Sequence, residues 1–127
     1  MTVFWVALGG ALGSVARYAC SVGAVRWLGP SFPWGTLFVN VTGSFTIGLL
    51  AALVASDGRP LLGADARAFL LVGVLGGFTT FSSFSLETLN LARSGALGPA
   101  ILNVAGSVAL CLAAVSIGFT SAGWLNR

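Results

Sequence analysis

Four apolar runs in this chain each reach or exceed the roughly 20 residues that a helix needs to cross a bilayer, and short stretches rich in Gly, Pro and Ser separate them. That pattern suits one environment. Six basic and three acidic side chains among 127 residues make 7% charged, against roughly 25% in an average soluble domain, too few to clothe a water-facing surface. The chain therefore reads as an all-α integral membrane protein, a single domain of four transmembrane helices. The spans run from about Val3 to Leu28, Trp34 to Ala55, Ala66 to Arg93 and Ala100 to Ala122. Trp5, Trp27, Trp34 and Trp124 fall near span ends, where an aromatic belt places them. The first run lacks a positive flank and is long enough to span, so it reads as a helix and not a cleaved signal. Asp65 is placed to cap the third helix, and Pro99 to open the fourth at its first position.

The same inventory excludes most chemistry. There is no histidine or lysine, and the acids Asp57, Asp65 and Glu87 are far apart in sequence. Cys20 and Cys111 sit inside apolar runs as small buried hydrophobes, with no disulfide expected. No metal cluster of side chains, nucleophile–base pair or nucleotide loop can be assembled, so the chain is not expected to be an enzyme. The arginines are scattered singly, which argues against a nucleic-acid partner. They also fail to choose an orientation. One side of a four-span fold receives Arg59, Arg67 and Arg127, the other Arg26 and Arg93. So even a balance leaves both insertions open under the positive-inside rule, and two copies of one chain can then pair antiparallel.

Spans two and four each carry an asparagine within a similar motif. Asn40-Val41-Thr42-Gly43-Ser44 in span two is echoed by Asn103-Val104-Ala105-Gly106-Ser107 in span four. The small residues suit close helix packing. An amide in hydrocarbon must face protein or water, which leaves two readings for each asparagine: glue between helices, or the wall of a pore.

Span three carries the densest signal, Gly73-Val74-Leu75-Gly76-Gly77-Phe78-Thr79-Thr80-Phe81-Ser82-Ser83-Phe84-Ser85-Leu86-Glu87. Glycine pairs beside β-branched threonines make a poor helix, at the depth where the bilayer midplane should fall. Carbonyls freed by a break there must be buried in protein or bind something, and carbonyls without carboxylates suit a hard monovalent cation such as Na⁺. Beyond the break Phe81 and Phe84 share a helical face, with Ser82 and Ser85 repeating the spacing beside them. Electropositive ring edges next to hydroxyl donors can solvate a small, hard anion without fixed positive charge.

The chain resembles the Fluc (CrcB) fluoride-channel family over essentially its whole length. The matching elements are Gly9-Gly10-Ala11-Leu12-Gly13-Ser14-Val15-Ala16-Arg17-Tyr18, Gly35-Thr36-Leu37-Phe38-Val39-Asn40 and, most specific, Gly76-Gly77-Phe78-Thr79-Thr80-Phe81-Ser82-Ser83-Phe84-Ser85-Leu86-Glu87. The resemblance implies a dual-topology antiparallel homodimer in the bacterial inner membrane. Its third helix is broken at the midplane, it has two fluoride pores and a central structural Na⁺, and it gives passive export of toxic fluoride. It implies pore positions at Asn40, Phe81, Ser82, Phe84, Ser85, Ser107 and Thr36, a vestibule arginine at Arg17, and the acid ending the motif at Glu87. Gly76 and Thr79 match the positions whose carbonyls hold Na⁺. Asn103 falls where some members carry a tyrosine, and Cys111 replaces a small polar residue. A small multidrug exporter is also a four-span antiparallel dimer, but it works on a glutamate in span one, where this chain has only Arg17.

Overall fold

The computed structural model describes residues 1–55 and 62–125. Helix α1 (Thr2–Leu28) stops at Gly29, whose φ of 82° lies in the left-handed region that a residue without Cβ enters freely. After a turn come α2 (Trp34–Ala55) and then a composite third element. It starts as α3 (Ala64–Arg67) and widens to a π-helical segment (Ala68–Leu75). It then narrows for α4 (Gly76–Phe78) and resumes as α5 (Phe81–Arg93). Gly95, with φ 83°, turns the chain into α6 (Leu97–Leu125). Among the described residues four helical stretches are long and apolar enough to cross a membrane, Ala64–Arg93 being the third. Asp57, Arg59 and Arg127 lie outside the described residues.

Two local expectations are corrected. Gly63, not Asp65, occupies the N-cap of α3. Asp65 sits inside the first turn, where the helix dipole favours a carboxylate, and its Oδ1 accepts a hydrogen bond from Thr2 Oγ1 at 3.0 Å, tying the starts of α1 and α3 together. The last helix begins at Leu97, ahead of the expected Ala100, so Pro99 is not its first residue. It lies within the first turn, where a missing N–H removes no helical bond.

Packing follows two pairings: α2 lies along α6, and α1 along the π-helical segment and α4. Both crossings are built on glycine. A methyl group on Gly13 would run into the Val74 carbonyl, and one on Gly9 into the Phe69 carbonyl. On the other pair, Gly48 faces the Val115 carbonyl and Gly118 the Phe45 carbonyl in the same way. Lipid tails are as apolar as leucine, so helices in a membrane gain little from hydrophobicity. Direct backbone approach between small residues supplies the dispersion contact instead. Trp5 adds an edge-on contact with Phe69, ring centroids 6.2 Å apart, between α1 and the π-helical segment. The buried apolar set is correspondingly small, with Val39, Leu75 and Phe84 its largest members beside several alanines. Apolar side chains such as Val15, Ile101, Leu102 and Phe119 are exposed on the outside of the bundle, the arrangement a hydrocarbon solvent rewards.

Gly13→Ala is expected to lower stability by about 1–3 kcal/mol through overpacking, read as a lower thermal unfolding midpoint in detergent micelles. Gly23→Ala is the control on the same helix. It has open space around its Cα, and it should leave the midpoint unchanged or raise it slightly. A Gly13→Ala protein as stable as the wild type would contradict the close approach of α1 to the third span.

Candidate functional site

Helical hydrogen bonding in the third span lapses over two residues. Thr79 (φ −83°, ψ 156°) and Thr80 (φ −155°, ψ 117°) are extended between α4 and α5. The Thr79 amide still reaches back to the Leu75 carbonyl at 3.0 Å, and its hydroxyl donates to the same oxygen at 2.9 Å. The Thr80 amide does not follow. In a continuing helix it would bond the Gly76 carbonyl, but here it donates to Asn40 Oδ1 at 2.8 Å. Asn40 Nδ2 completes the pair by donating to the Thr80 carbonyl at 3.0 Å. One amide on α2 thus takes over the Thr80 amide, which the interruption leaves without its helical acceptor, and adds a second donor to the Thr80 carbonyl, the N-cap carbonyl at which α5 begins.

The local sequence favours this arrangement. Threonine side chains compete with helical backbone bonds and are strong N-caps. Thr80 is the N-cap of α5, its Oγ1 accepting from the Ser83 amide at 3.2 Å while donating to Ser83 Oγ at 3.1 Å. The Thr79 carbonyl faces Arg17, whose Nη1 lies 3.4 Å away.

Around the interruption is a groove of about 450 Å³, its wall drawn from α2, the third span and α6. It gathers Asn40, Gly76, Thr79, Phe81, Phe84 and Ser107 from the residues expected to be functional. Thr80, Ser44 and Cys111 join them, both cysteines being free thiols. The Phe81 and Phe84 rings are tilted at 46° with centroids 5.3 Å apart. Phe84 is buried, whereas Phe81 is 77% exposed at the open side.

Other expected residues are placed differently. Ser85 is exposed, and its hydroxyl donates to the Phe81 carbonyl of its own helix at 2.9 Å. Ser82 is exposed with Oγ 3.2 Å from Thr80 Oγ1. Thr36 and Glu87 meet each other, Thr36 Oγ1 donating to Glu87 Oε1 at 2.8 Å, while Glu87 Oε2 is buried without a partner. Arg17 and Glu87 therefore take separate partners and do not pair. Asn103 is enclosed at 1% exposure, bonded to Thr88 and Ser107. Thr80 and Thr88 went unassigned in the sequence. Thr80 carried a signal, a Thr followed three residues later by Ser at the start of a helical run. Thr88 carried none.

The family described as CrcB-like protein, Camphor Resistance (CrcB), matches residues 4–119. The chain is 59% identical over 122 residues to the fluoride-specific ion channel FluC of Opitutus terrae, covering 96% of this chain and 92% of that protein. It is 52% identical over 118 residues to the protein of the same description in Magnetococcus marinus (93% and 94% covered). Identity to that of Paramagnetospirillum magneticum is 50% over 127 residues (100% and 99% covered).

Asn40→Leu should destabilise the protein by about 1–3 kcal/mol, the penalty for leaving the Thr80 amide without a partner and removing a donor from its carbonyl. Thermal unfolding in detergent reads it. A Leu variant with an unchanged midpoint would mean that the clamp on Thr80 contributes nothing to the fold.

Proposed function

From the premise that this chain belongs to the CrcB-like family and is a multi-pass bacterial membrane protein, not an enzyme, we propose that it is a fluoride-selective channel giving passive efflux of fluoride. The observation that carries this reading is the groove. Its lining brings the Phe81 and Phe84 rings together with the Asn40 amide and the Ser107 hydroxyl.

The chemistry follows from what those groups offer. A primary amide has two N–H donors, and Asn40 gives one to Thr80, leaving one for the groove. Ser107 adds a hydroxyl whose proton is held by Asn103 Oδ1 in a long bond of 3.4 Å and must turn from it to meet an anion, and the rings offer their positive edges. Such a track replaces the water shell of a small anion and fits a larger one badly, which excludes chloride. Arg17 raises anion concentration at the mouth through its field. Leak in the outward direction is useful wherever neutral HF crosses the lipid, loses its proton in the cytoplasm and leaves an ion that needs a pore.

A second copy, inserted antiparallel, completes the path in this reading. The near-even arginine balance permits both insertions, and the exposed Phe81 ring at the open side of the groove supplies a face for the partner. The third span is then broken at the midplane by the Thr79–Thr80 stretch. The residues there also fit a shared monovalent cation. The Gly76 carbonyl has lost the Thr80 amide to Asn40, the Thr79 carbonyl has a long contact with Arg17, and the residues lining the groove include no carboxylate to favour a divalent ion. Gly76 and Thr79 would hold Na⁺ through these oxygens, and when bound it balances the carbonyl dipoles and joins two chains.

Liposomes loaded with potassium fluoride, and a matched set with chloride, test the proposal with ion-selective electrodes and a potassium ionophore. Rapid fluoride efflux with chloride efflux at the level of protein-free vesicles is expected. Comparable efflux of the two anions would overturn it. Arg17→Gln should slow fluoride efflux at low ionic strength, with the deficit shrinking as salt screens the field.

A further inference from the structure

Asn103 is the least exposed of the buried polar residues among those described, and the groove wall does not include it. Its amide makes two connections. Nδ2 donates to Thr88 Oγ1 on α5 at 2.8 Å, and Oδ1 accepts from Ser107 Oγ, one turn along α6, at 3.4 Å. Thr88 Oγ1 itself donates to the Phe84 carbonyl at 2.7 Å. A hydroxyl has one proton and two lone pairs. With that proton committed to Phe84, the Thr88 oxygen is left as an acceptor for Asn103. The three residues therefore form one directed chain from α6 into the backbone of Phe84.

Both ends of the chain are groove residues, the Phe84 ring on α5 and the Ser107 hydroxyl on α6. Apolar helices slide and rotate against one another at little cost because dispersion is not directional. A polar link between them fixes rotation and axial offset. One enclosed amide thus sets the position of two side chains on different helices without facing the groove.

We infer that Asn103, acting through Thr88 on Phe84 and directly on Ser107, is a positioning residue that fixes the spacing by which the groove separates a small anion from a larger one. The inference rests on the fluoride-channel reading. A track whose donors are held at set distances cannot widen to receive chloride, whereas one free to shift can.

The test is the ratio of fluoride to chloride efflux from liposomes carrying full-length wild type, Thr88→Ser or Thr88→Val. Serine keeps the hydroxyl and should keep the wild-type ratio. Valine keeps the shape without the hydroxyl and should lower the ratio by about fivefold to tenfold, in line with the loss of one net hydrogen bond. Asn103→Leu should give a similar fall, and combining it with Thr88→Val should add little, since both cut one chain. If Asn103→Leu does not fold, the two Thr88 variants decide alone. Equal ratios for serine and valine overturn the inference, and so does a valine variant in which both fluxes fall together. Wild-type vesicles that pass no fluoride overturn the channel reading and this inference with it. Wild-type vesicles that pass fluoride while valine matches serine overturn the inference alone.

Discussion

Two hydrogen bonds between one asparagine amide and the backbone of one threonine hold the third span open. An interruption inside an apolar helix is normally ruinous, because no water is present to meet the exposed N–H and C=O groups. Asn40 supplies the acceptor that the Thr80 amide has lost, at 2.8 Å, and a further donor to the Thr80 carbonyl, at 3.0 Å. The Thr80 hydroxyl then caps the helix that restarts at Phe81. Among the carbonyls at the end of α4 that lose their helical donors, Gly76 has lost the Thr80 amide to Asn40, and the Thr79 carbonyl is met at 3.4 Å by Arg17. The groove, its phenylalanines and its hydroxyls are arranged around that short polar stretch.

The bundle serves this interruption. The Gly9 and Gly13 crossing draws α1 against the third span, which is how the Arg17 side chain on the same helix comes to lie at the Thr79 carbonyl. The Gly48 and Gly118 crossing locks α2 to α6, so Asn40 and Ser107 enter the groove from one rigid pair. Most other polar groups inside the bundle are tied to neighbours, Thr36 to Glu87 and Asn103 to Thr88 and Ser107, with Glu87 Oε2 the exception. Such economy follows from the solvent, since each unpaired polar group in hydrocarbon costs several kcal/mol by the general rule for buried donors and acceptors, about 2–7 kcal/mol.

Run length and charge were enough to read the four helical spans from the sequence, because in lipid those two properties decide secondary structure almost unaided. The Gly-Gly and Thr-Thr pairs drew attention to residues 76–80. Which peptides leave the helix was not legible there: the glycines at 76 and 77 stay helical, and the two threonines are extended. That choice depends on Asn40, which lies 40 positions away along the chain, and no local pattern encodes such a distance. The same reason hid the Thr36–Glu87 and Asn103–Thr88 links, which join different helices. Asp65 was misassigned for a different reason. Its residue type suits an N-cap, but Gly63 already fills that place and Thr2 offers the carboxylate a better partner.

The account stands on the claim that the Thr79–Thr80 interruption, clamped by Asn40, is the organising element of the site. A density map of the protein in lipid nanodiscs, in sodium fluoride and at a resolution that shows carbonyl oxygens, tests it most directly. The account predicts extended Thr79 and Thr80, the Asn40 amide on both backbone groups of Thr80, and density between Gly76 and Thr79 carbonyls of two antiparallel copies. A helix running unbroken through residues 76–80, with Asn40 turned away and no such density, would contradict it.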